Sequence, residues 1–229
     1  MLTEVYRWIG YGLCHQLPER SFFGGGLQVP VCARDTGIYV GFAISLALVV
    51  LLHRGERPRR FPGPLGWAVM GLLFALFAWD GVTSYGGLRE STNQLRLITG
   101  LGVGYSAAAV LAPILNDEVW TSSSPGSVLS PWWRLLAWVG SIPLAWAIVW
   151  WGFPLLGAIY PAVVSAAILI TLAAMNLVMV AMLPAFDRKA SRHADLATPV
   201  AISLAMALAE IAASALVRQL LLDTAARVL

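Results

Sequence analysis

The sequence predicts an all-α, polytopic membrane helical bundle of about six spans, with a short interfacial helix at its N-terminus. Three observations carry this reading. Of the 229 residues, 59% are hydrophobic and only 12% are charged, about half the charge of a soluble domain. Mean hydropathy is +0.74. The apolar residues also gather into repeated runs near the length, about 20 residues, that a helix needs to cross a hydrocarbon core.

Residues 2–13 open the chain with Leu2, Val5, Tyr6, Ile9 and Leu13 at helical spacing and Thr3, Glu4 and Arg7 opposite. This run is too short to span, so it is expected to lie on the membrane with Trp8 and Tyr11 at headgroup level. Glu4 and Arg7 interrupt it and no small-residue cleavage site comes after it, so a cleavable signal is not expected. Tyr-Gly-Leu before Cys14 also lacks the small residues of a lipoprotein signal. Six spans come next, at 36–53, 65–84, 94–115, 132–152, 155–184 and 198–221. Pro143 and Pro161 are expected to kink the fourth and fifth, and the fifth is long enough to tilt. The Ser/Pro-rich stretch 116–131 reads as a mobile connector. There is no internal repeat. The chain therefore reads as a single membrane domain, 1–229: interfacial helix and motif loop (1–35), first three spans (36–115) and last three (132–221).

The net charge of +3 and pI near 9.1 could point to nucleic acid, but the placement of the charges argues against it. Only Lys189 is lysine, and the arginines crowd into short loops. HRGERPRR (53–60) and DRKASRH (187–193) both come after odd-numbered spans, so they share a side. By the positive-inside rule that side is the cytoplasm. With Arg134 it carries eight basic residues, against seven on the other side: Arg7, Arg20, Arg34, Arg89, Arg96, Arg218 and Arg227. The expected location is the cytoplasmic membrane with both termini outside, and the expected partner is the lipid bilayer, with no nucleic acid. Parity alone places the segment before the first span and the loop 85–93 on one face, whichever face that is.

Most of the residues capable of chemistry lie in two stretches on that face, 14–39 and 80–100. In the first, Cys14, His15, Cys32 and Asp35 offer two sulfurs, an imidazole and a carboxylate, a donor set for zinc or another divalent transition metal. The C-x-x-D spacing lets Cys32 and Asp35 point at one ion. A Cys14–Cys32 disulfide and two unpaired thiols are the alternatives. In the second stretch, Asp80 ends a span and Ser91-Thr92-Asn93 caps the next. That helix start, with Arg89 and Arg96 beside it and Arg34 from the first stretch, suits an anion such as a lipid phosphate or acidic headgroup. The arginines could equally pair with Asp80, Glu90, Glu19 or Asp35.

CHQ-x-P-x-R-S-F, then C-A-R-x-T-G-I-Y-x-G, then D-G…G-L-x-E-S-T-N-x-x-R-x-x-T-G resembles the prokaryotic membrane family catalogued as domain of unknown function twenty-eighty-five. The resemblance covers about residues 10–105. It implies an integral-membrane fold and supplies no established activity. Family members tend to read C-A-R-C where this chain reads Cys32-Ala33-Arg34-Asp35. The resemblance therefore leaves no dithiol redox couple here, while Asp35 remains available as a harder ligand.

Two further features lie inside the spans. Gly100-xxx-Gly104 reads as close helix packing rather than as a phosphate loop. Glu210, near the middle of the sixth span, is a functional candidate by default, unless Arg218 or Asn176 holds it. The tryptophans at 132–151 read as an interfacial belt.

The leading expectation is a metal-dependent membrane enzyme at the extracytoplasmic surface, acting on a lipid-linked or amphiphilic anion. Cys14, His15, Cys32 and Asp35 would hold the ion. Arg34, Arg89, Ser91, Asn93 and Arg96 would receive the anion, and Asp80 or Glu19 would be the general base. The rival is a non-catalytic scaffold or accessory subunit of a larger membrane complex, with a metal- or disulfide-stapled cap. A transporter fits less well, since no paired interrupted helices mark a path.

Overall fold

Each apolar run becomes a helix in the computed structural model, which describes residues 2–228; the side chain of Arg227, one of the seven basic residues assigned to the outer side, lies outside the described residues. An N-terminal helix α1 (Leu2–Tyr11) precedes a hairpin of β1 (Ser21–Gly24) and β2 (Leu27–Cys32). Then come α2 (Ala33–His53), β3 (Pro58–Arg60), α3 (Pro64–Tyr85), α4 (Asn93–Val119) and β4 (Ser124–Ser127). The chain continues with α5 (Trp132–Ala147), α6 (Ile159–Ala181) and α7 (Ala197–Val228). Six helices are long and apolar enough to cross a membrane, the fourth once α5 is extended to Leu156 and the sixth from His193 to Ala226.

The two prolines behave differently from expectation. Pro143 lies inside α5, and regular winding persists past it until a π-helical turn at Ile148–Gly152 and a 3-10 turn at Phe153–Leu156. The chain then reverses at Gly157, whose φ of 54° suits a residue without a Cβ. Pro161 falls in the first turn of α6. Its missing N–H has no intrahelical partner to lose there, so it starts the helix instead of kinking it.

Lipid can cover apolar side chains, so burial inside the chain marks the centre of the bundle. α4 is the most buried span and α3 and the extended α5 the least. α2 runs against α4 at unusually short range. A Cβ at Gly37 would collide with the Leu97 carbonyl, one at Gly100 with the Arg34 carbonyl, and one at Gly104 with the Ile38 carbonyl. The expected role of Gly100 and Gly104 in helix packing is thus met. Deeper in, the Trp138 indole N–H donates to Ser45 Oγ at 2.8 Å, and Ser45 donates to the Tyr105 carbonyl at 3.0 Å. α7 lays Ser203, Ala207, Ile211 and Ala215 inward, and its main packing partner is α6.

The ends of the bundle differ. At one end, the motif face, α1 packs on β2 and α7, with Leu2, Val5 and Trp8 exposed as an interfacial helix requires. The guanidinium of Arg218 donates to the carbonyls of Tyr11 and of Cys14, the latter at 2.7 Å. At the other end, the basic face, β4 pairs in parallel with β3, and Trp120 bridges to Ala190. The segment expected to be a mobile connector is therefore tied down. α4 extends to Val119, and backbone hydrogen bonds from Ser124 to Arg57 and from Val128 to Arg60 hold the residues beyond it.

Candidate metal centre and anion pocket

Cys14 and Cys32 meet because local structure folds the chain back twice. α1 ends in a turn in which the Gly10 carbonyl accepts from the N–H groups of Leu13 and Cys14. Two glutamines then pin the loop. Gln16 donates to the carbonyls of Arg7 and Pro30, and Gln28 donates to the Gln16 carbonyl and to Ser21 Oγ. The hairpin returns the chain so that Cys32 stands at the N-terminus of α2, with Asp35 in the first turn of that helix.

The resulting cluster is tight. The Cys32 N–H donates to Cys14 Sγ at 3.2 Å, and Cys32 Sγ donates to Asp35 Oδ2 at 3.3 Å. Both cysteines are free, half-buried thiols. One ligand atom from each of Cys14, Cys32 and Asp35 lies within 4.8 Å of the other two. The hydrogen bond to the Cys32 side chain draws the Cys14 thiol below its ordinary pKa, against the opposing effect of burial. That same bond, then burial and the Asp35 carboxylate, push Cys32 up. The first thiol is thus the readier thiolate. A tetrahedral ion with sulfur and oxygen ligands spaces its donors by roughly 3.5 Å, so this set needs little movement to hold one. His15, expected as a fourth ligand, is exposed and lies outside the group of three.

Cys14, His15, Cys32 and Asp35 line a cavity of about 330 Å³, with Arg20, Arg34 and Tyr85 on its other walls. Arg20 makes no ion pair among the described residues; its guanidinium lies 6.0 Å from the centre of the Tyr85 ring.

The second stretch closes on itself behind this cavity. Asp80 is fully buried at the end of α3. Its Oδ2 accepts from Arg34, and its Oδ1 accepts from Arg89 at 2.6 Å and from Ser91 Oγ at 2.6 Å. Arg34 also donates to Ser84 Oγ, and Arg89 to Thr83 Oγ1. Arg34, Arg89 and Ser91, expected to receive an external anion, instead converge on the chain's own carboxylate. Asp80, expected as a general base, has both oxygens occupied and no access to water, which makes it their counter-ion. Arg96 is different: it donates to Asn93 Oδ1 at 3.1 Å and has no ion pair among the described residues. Asn93 donates onward to the Glu19 carbonyl. Glu19 itself is exposed, outside the cavity. Thr92 rather than Ser91 caps α4, accepting from the Leu95 N–H.

Sequence reasoning passed over Arg20, Tyr85 and the two glutamines. Arg20 sits within the P-x-R-S-F run, and Tyr85 is an aromatic at a span end, but neither signal separates a cavity wall from an interface anchor. The family model described as "Predicted membrane protein (DUF2085)" matches residues 14–110. An uncharacterized protein of Methanothermobacter thermautotrophicus is 38% identical over 119 residues, 52% of this chain and 97% of that one. An uncharacterized protein of Methanocaldococcus jannaschii is 36% identical over 108 residues, 47% of this chain and 67% of that one. No solved structure matches the chain. A multi-pass membrane protein with the clustered thiols and the buried aspartate inside the matched segment, this chain belongs to the DUF2085 family of membrane proteins.

Proposed function

We propose that the motif face carries a divalent transition-metal site, zinc being the simplest occupant, held by Cys14, Cys32 and Asp35 and open on its fourth side to a pocket for an anionic group. The observation that carries this is the convergence of three ligand atoms within 4.8 Å on the wall of a cavity. Three protein ligands leave the open position that catalysis requires, whereas four would make the site structural. His15 outside the cluster therefore favours the catalytic reading. Arg20, free of carboxylate partners among the described residues, is the cation on the cavity wall that would receive the anion. A metal bound here would supply Lewis acidity to a reaction on a lipid-linked or amphiphilic anion at the membrane surface. By the positive-inside rule this face is extracytoplasmic.

One observation favours the rival reading, a non-catalytic cap in a larger membrane complex. Two cations of the region, Arg34 and Arg89, are already paired with Asp80. Elemental analysis and cobalt substitution separate the two readings. The purified protein should hold about one equivalent of zinc, lost in Cys14→Ser and Cys32→Ser and retained in His15→Ala. The cobalt form should show thiolate charge-transfer bands that dodecyl phosphate perturbs, and Arg20→Gln should remove that perturbation. Metal without any response to dodecyl phosphate supports the structural cap, and two metal-free thiols would overturn the site altogether.

A further inference from the structure

A second cavity lies at the basic face, remote from the cysteine cluster. It measures about 410 Å³ and is walled by Leu46 and Val49 of α2, Ala112 and Leu115 of α4, and Leu177 of α6. Its size is that of a small-molecule site, and its composition has the same pattern, apolar walls with a few convergent polar groups. The polar lining comprises His53 and Asn116, near the ends of α2 and α4, and Glu56, Arg57 and His193 from the segments beyond the helices. The Arg57 guanidinium lies 3.4 Å over the Trp120 ring, and His193 meets the same ring edge-on at 5.2 Å. Arg57 has no carboxylate partner among the described residues. Glu56, which also lines the cavity, pairs with Arg134 at 3.2 Å, and Asp117 pairs with Arg188 at 3.0 Å. Stacking on an aromatic face orients a guanidinium while leaving its N–H edge open to an anion.

We propose that this chamber binds an anionic membrane phospholipid, with one acyl chain between α2, α4 and α6 and the phosphate against Arg57. Three features select a lipid over a soluble anion. The chamber's walls are mainly apolar, and its charged residues, Glu56 and Arg57, come from the loop after α2. It sits where the spans end, at headgroup level. Val50, 65% exposed on the outer side of α2, stands at its edge, next to the surrounding acyl chains. Basic pockets between transmembrane helices are a recurrent form of headgroup recognition.

Native mass spectrometry of the whole protein, released from nanodiscs of equal phosphatidylglycerol and phosphatidylcholine with added oleate, tests this. Phosphatidylglycerol should be retained at least fivefold over phosphatidylcholine. Arg57→Gln should abolish that preference, and Ala112→Phe, which fills the chamber, should abolish retention of both. Equal retention of the two phospholipids, or retention unchanged by Ala112→Phe, would overturn the proposal, and preferred retention of oleate would replace the phospholipid by a free carboxylate. Should Ala112→Phe fail to fold, the unaltered chain still decides. A phosphatidylglycerol with a diazirine in its acyl chain should label peptides 46–58 and 112–120, and labelling confined to other segments sinks the idea.

Discussion

At the scale of single residues, Asp80 governs the motif face. A carboxylate with no exposure, accepting from two arginines and a serine, is stable only while its partners remain. Removing one member of such a buried pair leaves an uncompensated charge, at a cost of about 3–5 kcal/mol. Asp80→Ala should therefore lower the melting temperature in detergent sharply. Arg89→Gln should do so less, because Arg34 and Ser91 continue to donate to the carboxylate once Arg89 is gone. Equal losses in the two variants would show that the pair does not hold the helices together. The polar residues of this network were legible in the sequence; their pairing was not. Arg34, Arg89, Arg96, Ser91 and Asp80 were all identifiable as one cluster by parity. Which arginine Asp80 would claim depends on side-chain reach across three helices, and spacing along the chain does not encode that. Arg96 stays outside the claim because Asn93, one turn before it, takes its N–H.

At the scale of elements, apolar run length identified every span, since the bilayer sets that length whatever the neighbours do. It could not identify the β1–β2 hairpin, because four- and six-residue strands flanking Gly25-Gly26 carry too little periodicity to separate from a loop. That hairpin is what delivers Cys32 to Cys14. Helix packing reaches the site as well. A Cβ at Gly100 would strike the backbone of Arg34, whose side chain holds Asp80. Gly100→Ala should thus destabilise by roughly the cost of an overpacked core, about 1–3 kcal/mol, and should also disturb the Arg34–Asp80 pair. A double-mutant cycle of Gly100→Ala with Asp80→Asn measures the second effect, and strict additivity would deny the link. α7 makes an opposite case. Glu210 is exposed near its middle, with neither Arg218 nor Asn176 holding it. A charged residue at a helix centre costs on the order of 2.5–3.5 kcal/mol against lipid, where leucine is favourable. Glu210→Leu should raise the thermal stability of the isolated chain in nanodiscs. A fall instead would mean that this carboxylate stabilises the chain and does not face lipid.

At the scale of the whole molecule, the two faces are chemically unlike. The motif face concentrates the thiols and a closed ion-pair network. The basic face concentrates the short arginine-rich loops and the β3–β4 pairing that binds them. The two ends are joined by helices long enough to cross the membrane, so their relative sidedness comes from span number alone and can be tested separately from absolute orientation. Leu88, 77% exposed between α3 and α4, and Leu155, 86% exposed between α5 and α6, should lie on one side of the membrane. Gly126, on the far side of α4 from Leu88, should lie on the other. Single cysteines at these three positions, in a background where Cys14 and Cys32 are serine, report this through a membrane-impermeant maleimide. In intact cells Leu88→Cys and Leu155→Cys should react while Gly126→Cys reacts only after permeabilisation, if the eight basic residues of the basic face orient the chain. The reverse pattern would keep the fold and invert the orientation, moving the thiol cluster into the reducing compartment. A split between Leu88→Cys and Leu155→Cys would be more serious. It would mean an odd number of crossings over α4 and α5, which the helices of this structure cannot supply.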